Sequence, residues 1–134
     1  MTNNDTSNLL SVLVVEDDPS ITRMLRFSLR AGGFGITEVS TGPAAIRLID
    51  EHRPAAVVLD LGLSDGDGST VLKRLQSQLD CTPVWVCISS LDQQDAASEH
   101  GPLGEHFLGK PFDPWKLVNI LTDMLSKAAY IKNS

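Results

Sequence analysis

Residues 55–60, Ala-Ala-Val-Val-Leu-Asp, constrain the fold of this chain more than any other stretch. The run is too short for a helix of ordinary length. Its apolar residues do not alternate with polar ones, so both faces of the strand it forms must be covered. A strand covered on both faces belongs in the middle of a parallel sheet with helices on either side. It also ends abruptly in a carboxylate, Asp60.

The rest of the chain repeats that unit. Residues 11–16, Ser-Val-Leu-Val-Val-Glu, read as a second buried strand ended by acids. Asp18 and Pro19 then open a helix over 19–31, as N-cap and first-turn residue. Ile21, Met24, Leu25, Ser28 and Leu29 form its inward stripe, and Gly32-Gly33 ends it. A short strand is expected at 35–40. Thr41-Gly42-Pro43 opens a second helix, with Ala44, Ala45, Leu48 and Ile49 on one face, and Arg53-Pro54 stops it. After Asp60 comes a loop from Gly62 to Gly68, then a helix over 69–79 carrying Val71, Leu72, Leu75 and Leu79. Pro83 introduces a strand from Val84 to Ile88, ended by Ser89-Ser90. The polar stretch 91–101 predicts a brief, poorly anchored helix. A last strand is expected within 105–109. Asp113 and Pro114 start a final helix to 128, with Leu117, Val118, Leu121, Met124 and Leu125 facing inward.

Five β/α units with short connections predict an α/β fold with a doubly wound five-stranded parallel sheet. The domain is expected over 10–128, with a polar tail at 1–9 and a C-terminal tail at 129–134. A length of 134 residues suits one domain. The longest apolar runs have five residues, far short of the roughly 18 a membrane span needs. The first eight residues carry no basic or apolar secretion signal. Two cysteines, Cys81 and Cys87, beside or within apolar sequence argue against a disulfide scaffold or zinc site and for a reducing, cytoplasmic setting. The net charge of −6, with no basic cluster, argues against direct nucleic-acid binding.

In an open α/β sheet, ligands bind beyond the carboxyl ends of the strands. Four strand ends here carry charge or a hydroxyl: Glu16-Asp17-Asp18, Asp60, Ser89-Ser90 and Lys110. Crowded carboxylates repel and call for a cation. Mg²⁺ suits them, since it takes oxygen ligands and commonly only one or two carboxylates. One carboxylate could then attack phosphorus, with the lysine and the hydroxyl on the phosphoryl oxygens.

The runs Val12-Leu13-Val14-Val15-Glu16-Asp17-Asp18-Pro19 and Val57-Val58-Leu59-Asp60-Leu61, with Asp67-Gly68, Ser89 and Lys110-Pro111-Phe112, resemble the receiver domain of two-component response regulators. Each motif alone is weak, whereas their order, spacing and placement on strand ends are specific. The resemblance covers about residues 10 to 127 and implies the flavodoxin-like (βα)5 strand order 2-1-3-4-5, for which a chemotaxis receiver is a standard example. It implies that Asp60 is the phospho-acceptor. Asp17 would bind Mg²⁺ directly, together with Asp60 and the Gly62 backbone carbonyl, and Glu16 through water. Ser89 would be the switch hydroxyl, Lys110 the phosphate-pairing cation and Phe107 the aromatic that moves with the switch. A cis peptide at Lys110-Pro111 is also implied. The implied partners are a histidine kinase or phosphotransfer protein and a downstream protein or fused output domain. A homodimer through the fourth helix, fifth strand and fifth helix would suit the same family.

Three departures stand out. Ser64 occupies a position that is proline in most receivers. The stretch from Pro83 to Ser89 is one residue longer than usual, which makes Ser90 the alternative hydroxyl. The segment 99–106 lacks the usual alanine/glycine pattern. Other polar residues have plainer readings. Asp18 is a cap, Asp65 and Asp67 are loop acids, and His52, His100 and His106 form no metal-ligand pattern. Trp85 and Trp115 are expected to pack in or against the core. Two other functions use similar residues. A phosphorylation-independent pseudo-receiver would not need the full set. A phosphohydrolase of the haloacid-dehalogenase type would want an acid two residues beyond its nucleophile, where this chain has Gly62.

Overall fold

The strand at the centre of the molecule is β3, Ala56–Asp60, buried along its whole length. The computed structural model describes residues 9–78, 83–101, 103 and 106–133; for 93, 100 and 129–133 the description is of the backbone. Around β3 lie β1 (Ser11–Val15), β2 (Gly35–Val39), β4 (Val84–Ser89) and β5 (Phe107–Gly109). All pairings are parallel, in the order β2-β1-β3-β4-β5. The helices are α1 (Pro19–Ala31), α2 (Gly42–His52), α3 (Gly68–Gln76), α4 (Gln93–His100) and α5 (Pro114–Asn133).

The sheet divides the apolar residues into two cores, which explains why β3 shows no alternation. Ala56 and Val58 face one side, with Val12 and Val14, under Leu25 and Leu29 of α1 and Leu117 and Leu121 of α5. Val57 and Leu59 face the other, with Leu13 and Val15, under Ala45 and Ile49 of α2 and Val71, Leu72 and Leu75 of α3. Successive side chains of a strand point to opposite faces, and here each face meets a helix layer.

Local signals place the helix starts. Asp18 Oδ1 accepts the Ser20 N–H at 2.9 Å, Thr41 accepts the Ala44 N–H at 3.4 Å, and Asp113 Oδ1 accepts the Trp115 N–H at 3.0 Å. Arg53 takes a left-handed conformation, φ 47°, and ends α2 just before Pro54. The brief α4 is as weakly anchored as its composition predicts. Among its described side chains only Ala96 is fully buried.

The structure departs from the sequence reading in three places. α5 runs on to Asn133, so residues 129–133 extend a helix where a tail was expected; no glycine or proline interrupts them. Trp115, in the first turn of α5, is 47% exposed rather than packed in or against the core. α3 ends at Gln76, short of the expected 79. Leu79 and Cys81 lie outside the described residues, as do residues 1–8 of the expected N-terminal tail. Cys87 is buried, and burial pushes its thiol up to about 12, which leaves it unreactive near neutral pH. His106 stacks on Trp85 with ring centroids 4.1 Å apart. No helix among the described residues is long and apolar enough to cross a membrane.

Candidate functional site

The carboxyl ends of β1 and β3 are adjacent because these strands pair, Val15 opposite Leu59. The next residues, Glu16 and Asp17 after β1 and Asp60 ending β3, therefore converge. Each offers a carboxylate oxygen, and these oxygens all lie within 4.8 Å of one another. Glu16 and Asp60 are buried and Asp17 is half-buried at the rim.

Lys110 reaches this cluster from beyond β5. Its Nζ is 3.0 Å from Glu16 Oε1 and 3.4 Å from Asp60 Oδ2. Glu16 Oε1 is buried, and this ion pair with the ammonium is what holds it. The other oxygen, Oε2, accepts the N–H groups of Asp17 and Asp18, each at 3.1 Å. The Lys110 N–H donates to the Ser89 carbonyl at 2.7 Å, and the Lys110-Pro111 peptide is cis, as the resemblance implies.

The remaining expected residues surround the same edge. The Gly62 N–H donates to Asp60 Oδ1 at 2.9 Å, which leaves Oδ2 on the lysine side. Ser89, at the end of β4, is buried and its hydroxyl oxygen accepts the Leu91 N–H at 3.0 Å, whereas Ser90 is exposed. Phe107 begins β5, half-buried against the core on the α2/α3 side. His52 is exposed and His106 lies away from the acids, on Trp85. Sequence reasoning missed one participant. Ser64 donates to the Asp17 carboxylate from its N–H, at 2.8 Å, and from its hydroxyl. Asp65, read as a loop acid, accepts the Gly42 N–H at 2.9 Å and so ties the loop to the start of α2. Gly68 closes that loop against β3; a Cβ there would sit 2.6 Å from the Leu61 carbonyl oxygen.

Electrostatics separate the two acids of β1. Burial, together with the neighbouring Asp60 carboxylate, raises Glu16 to about 7, against the pull of Lys110. Asp17 is lowered, chiefly by the Ser64 hydrogen bonds. Lys110 is raised by both carboxylates despite its own burial. The donor set fits a hard cation: oxygen ligands only, three carboxylate oxygens within 4.8 Å of one another, and more negative charge than one ammonium cancels.

A pH dependence follows. Glu16 binds its proton more tightly in the native state than at its ordinary 4.5, so its contribution favours folding at low pH and is lost as pH rises from 4.5 through about 7. Asp17 acts in the opposite sense, but only as pH falls below its ordinary 3.8. In a chelator, urea unfolding should therefore show a stability decrease on the order of 1–2 kcal/mol between about pH 5 and about pH 7.5. Glu16→Gln should flatten that slope; an unchanged slope in the variant would assign it elsewhere.

Comparison with known proteins gives one consistent relationship. Residues 12–122 match the family described as the response regulator receiver domain. The Transcriptional regulatory protein KdpE of Mycobacterium tuberculosis is 39% identical over 101 residues, which are 75% of this chain and 44% of that protein. The KDP operon transcriptional regulatory protein KdpE of Escherichia coli is 32% identical over 104 residues, 78% of this chain and 46% of that protein. The chain thus spans about half the length of the curated relatives it matches. Among solved structures, the receiver domain of the Francisella response regulator 1452 superposes with a TM-score of 0.74 at 28% identity, covering 87% of this chain and 97% of that one. The receiver domain of sensor histidine kinase PA1611 from Pseudomonas aeruginosa PAO1, with a magnesium ion coordinated in its active site cleft, gives 0.70 at 25% identity, covering 87% and 98%. Sheet order, acidic cluster and sequence match agree, and the chain belongs to the response regulator receiver domain family of two-component signalling, whose phospho-accepting function fits this acidic edge.

Proposed function

We propose that Asp60 accepts a phosphoryl group from a histidine kinase or a phosphotransfer protein in a Mg²⁺-dependent reaction, and that this changes a protein-binding surface. The observation that carries the reading is the convergence of three carboxylates and one ammonium on a single sheet edge. Asp17, Asp60 and the Gly62 carbonyl would hold Mg²⁺, with Glu16 acting through water. When bound, the ion supplies positive charge to the phosphoryl oxygens as bond order shifts. The magnesium in the receiver of PA1611 supports this assignment.

Each residue has a distinct task. The Gly62 N–H holds Asp60 Oδ1, so the carboxylate is oriented before a donor arrives. An Asp60 oxygen attacks phosphorus; the new O–P bond forms as the bond to the donor's imidazole nitrogen breaks, and the nitrogen keeps the electron pair. Glu16, buried beside the acceptor, holds the Lys110 ammonium in place until the phosphoryl group takes over as its partner. Lys110 then pairs with a phosphoryl oxygen. Ser89 turns its hydroxyl from the Leu91 N–H toward the phosphate as a donor. Phe107 moves inward, and the face made by α4, β5 and α5 is remodelled as a population shift.

That face would meet a downstream protein, a fused output domain or a second copy of the chain. The output, not the receiver, would carry any nucleic-acid contact, in keeping with the transcriptional regulatory relatives. The chain itself would not turn over an external substrate, and its setting would be the cytoplasm. Incubation with acetyl phosphate and Mg²⁺ should add one phosphoryl group by intact mass, and excess chelator should prevent it. Equal labelling with and without metal would overturn the Mg²⁺-dependent mechanism.

A further inference from the structure

The loop between β3 and α3 is gripped by carboxylates on two sides. Asp65 Oδ2 accepts the Gly42 N–H at 2.9 Å, and its Oδ1 accepts the Asp67 N–H at 3.0 Å. On the other side, the Ser64 N–H and hydroxyl both donate to Asp17 Oδ2. These partners are 47 residues apart in sequence, so the contact exists only in the folded domain. Two donors on one oxygen fix the rotation of the Asp17 carboxylate and leave its other oxygen for a further partner. In this orientation Asp17 already stands with Glu16 and Asp60, ligand oxygens within 4.8 Å.

We propose that Ser64 is a positioning residue for the cation site: it holds the Asp17 carboxylate in ligating orientation and ties metal occupancy to the β3–α3 loop. The inference rests on the reading of Asp17 as a metal ligand. A ligand that is already oriented loses less rotamer freedom on binding, and hydrogen bonds behind ligating carboxylates commonly matter by 10- to 100-fold in affinity. Proline, which the resemblance leads one to expect at this position, has neither donor.

The test is Mg²⁺ affinity, read by amide shifts of Asp17 and Gly62 during titration of the intact chain with MgCl₂. Ser64→Ala keeps the backbone N–H and loses the hydroxyl, so Mg²⁺ should bind about tenfold more weakly, at the lower edge of that range. Ser64→Thr keeps the hydroxyl and should bind close to wild type. Ser64 is exposed, so the alanine variant should remain folded. A second readout needs no metal. The Ser64 amide resonance should move when Asp17→Asn removes its charged acceptor. If Ser64→Ala binds Mg²⁺ as well as or more tightly than wild type while Asp17→Asn loses it, the positioning role is overturned and the cation site stands. If Asp17→Asn binds Mg²⁺ like wild type, the ligand assignment and this inference both fall.

Discussion

Replacing Asp60 with asparagine is expected to abolish phosphoryl uptake from acetyl phosphate in Mg²⁺, because an amide is not a nucleophile at phosphorus. The fold should survive, since the Gly62 N–H can still donate to an amide oxygen in place of Oδ1. In a chelator the variant should be more stable than wild type, by about 1 kcal/mol or roughly 3–5 °C in Tm for a domain of this size. Asp60 and Glu16 share one ammonium, and removing one carboxylate relieves their repulsion. Hydroxylamine-sensitive phosphate persisting on the variant would move the acceptor to another carboxylate, with Asp17 and Asp65 the first to map.

Lys110→Ala is expected to slow phosphorylation by about 10²-fold, the usual effect of deleting one electrostatic contact to developing charge. The lysine is the cation paired with both buried carboxylates, so the variant should also bind its acidic-site proton more tightly. Ser89→Ala should behave differently. Its hydroxyl brings no charge, and a hydrogen bond to a charged acceptor contributes about 1.5–3 kcal/mol net. That variant should accept phosphate at Asp60 yet lose most of the spectral response around Phe107. A full response in Ser89→Ala with its loss in Ser90→Ala would shift the hydroxyl assignment by one residue. Wild-type labelling kinetics in Lys110→Ala would remove the lysine from the chemistry.

The contrast between these variants reflects how the site is assembled. Glu16, Asp60, Ser89 and Lys110 stand at or just past the ends of four different elements, and parallel pairing brings those ends to one edge. Such a site is legible in sequence because chain direction alone puts the residues on one side. The caps are legible for a similar reason. Asp18, Thr41 and Asp113 each bond within two or three residues of themselves, so no tertiary information is needed to place them.

Tertiary structure decided the rest. The Ser64–Asp17 contact has no local signature, because a serine in a glycine-rich loop reads the same whether or not a carboxylate lies across from it. The helical period correctly placed Leu117 and Leu121 in the core, but the exposure of Trp115 two residues earlier depends on how α5 packs and not on that period. The raised proton affinity of Glu16 comes from burial and from Asp60, which stands on a different strand. Sequence by itself determined the parallel sheet, its helix starts and which edge carries the charge, since these follow from periodicity, short-range hydrogen bonds and chain direction. Which hydroxyl touches which carboxylate, and which acid keeps its proton, depended on distances between segments far apart in the chain, and only the packed structure sets those.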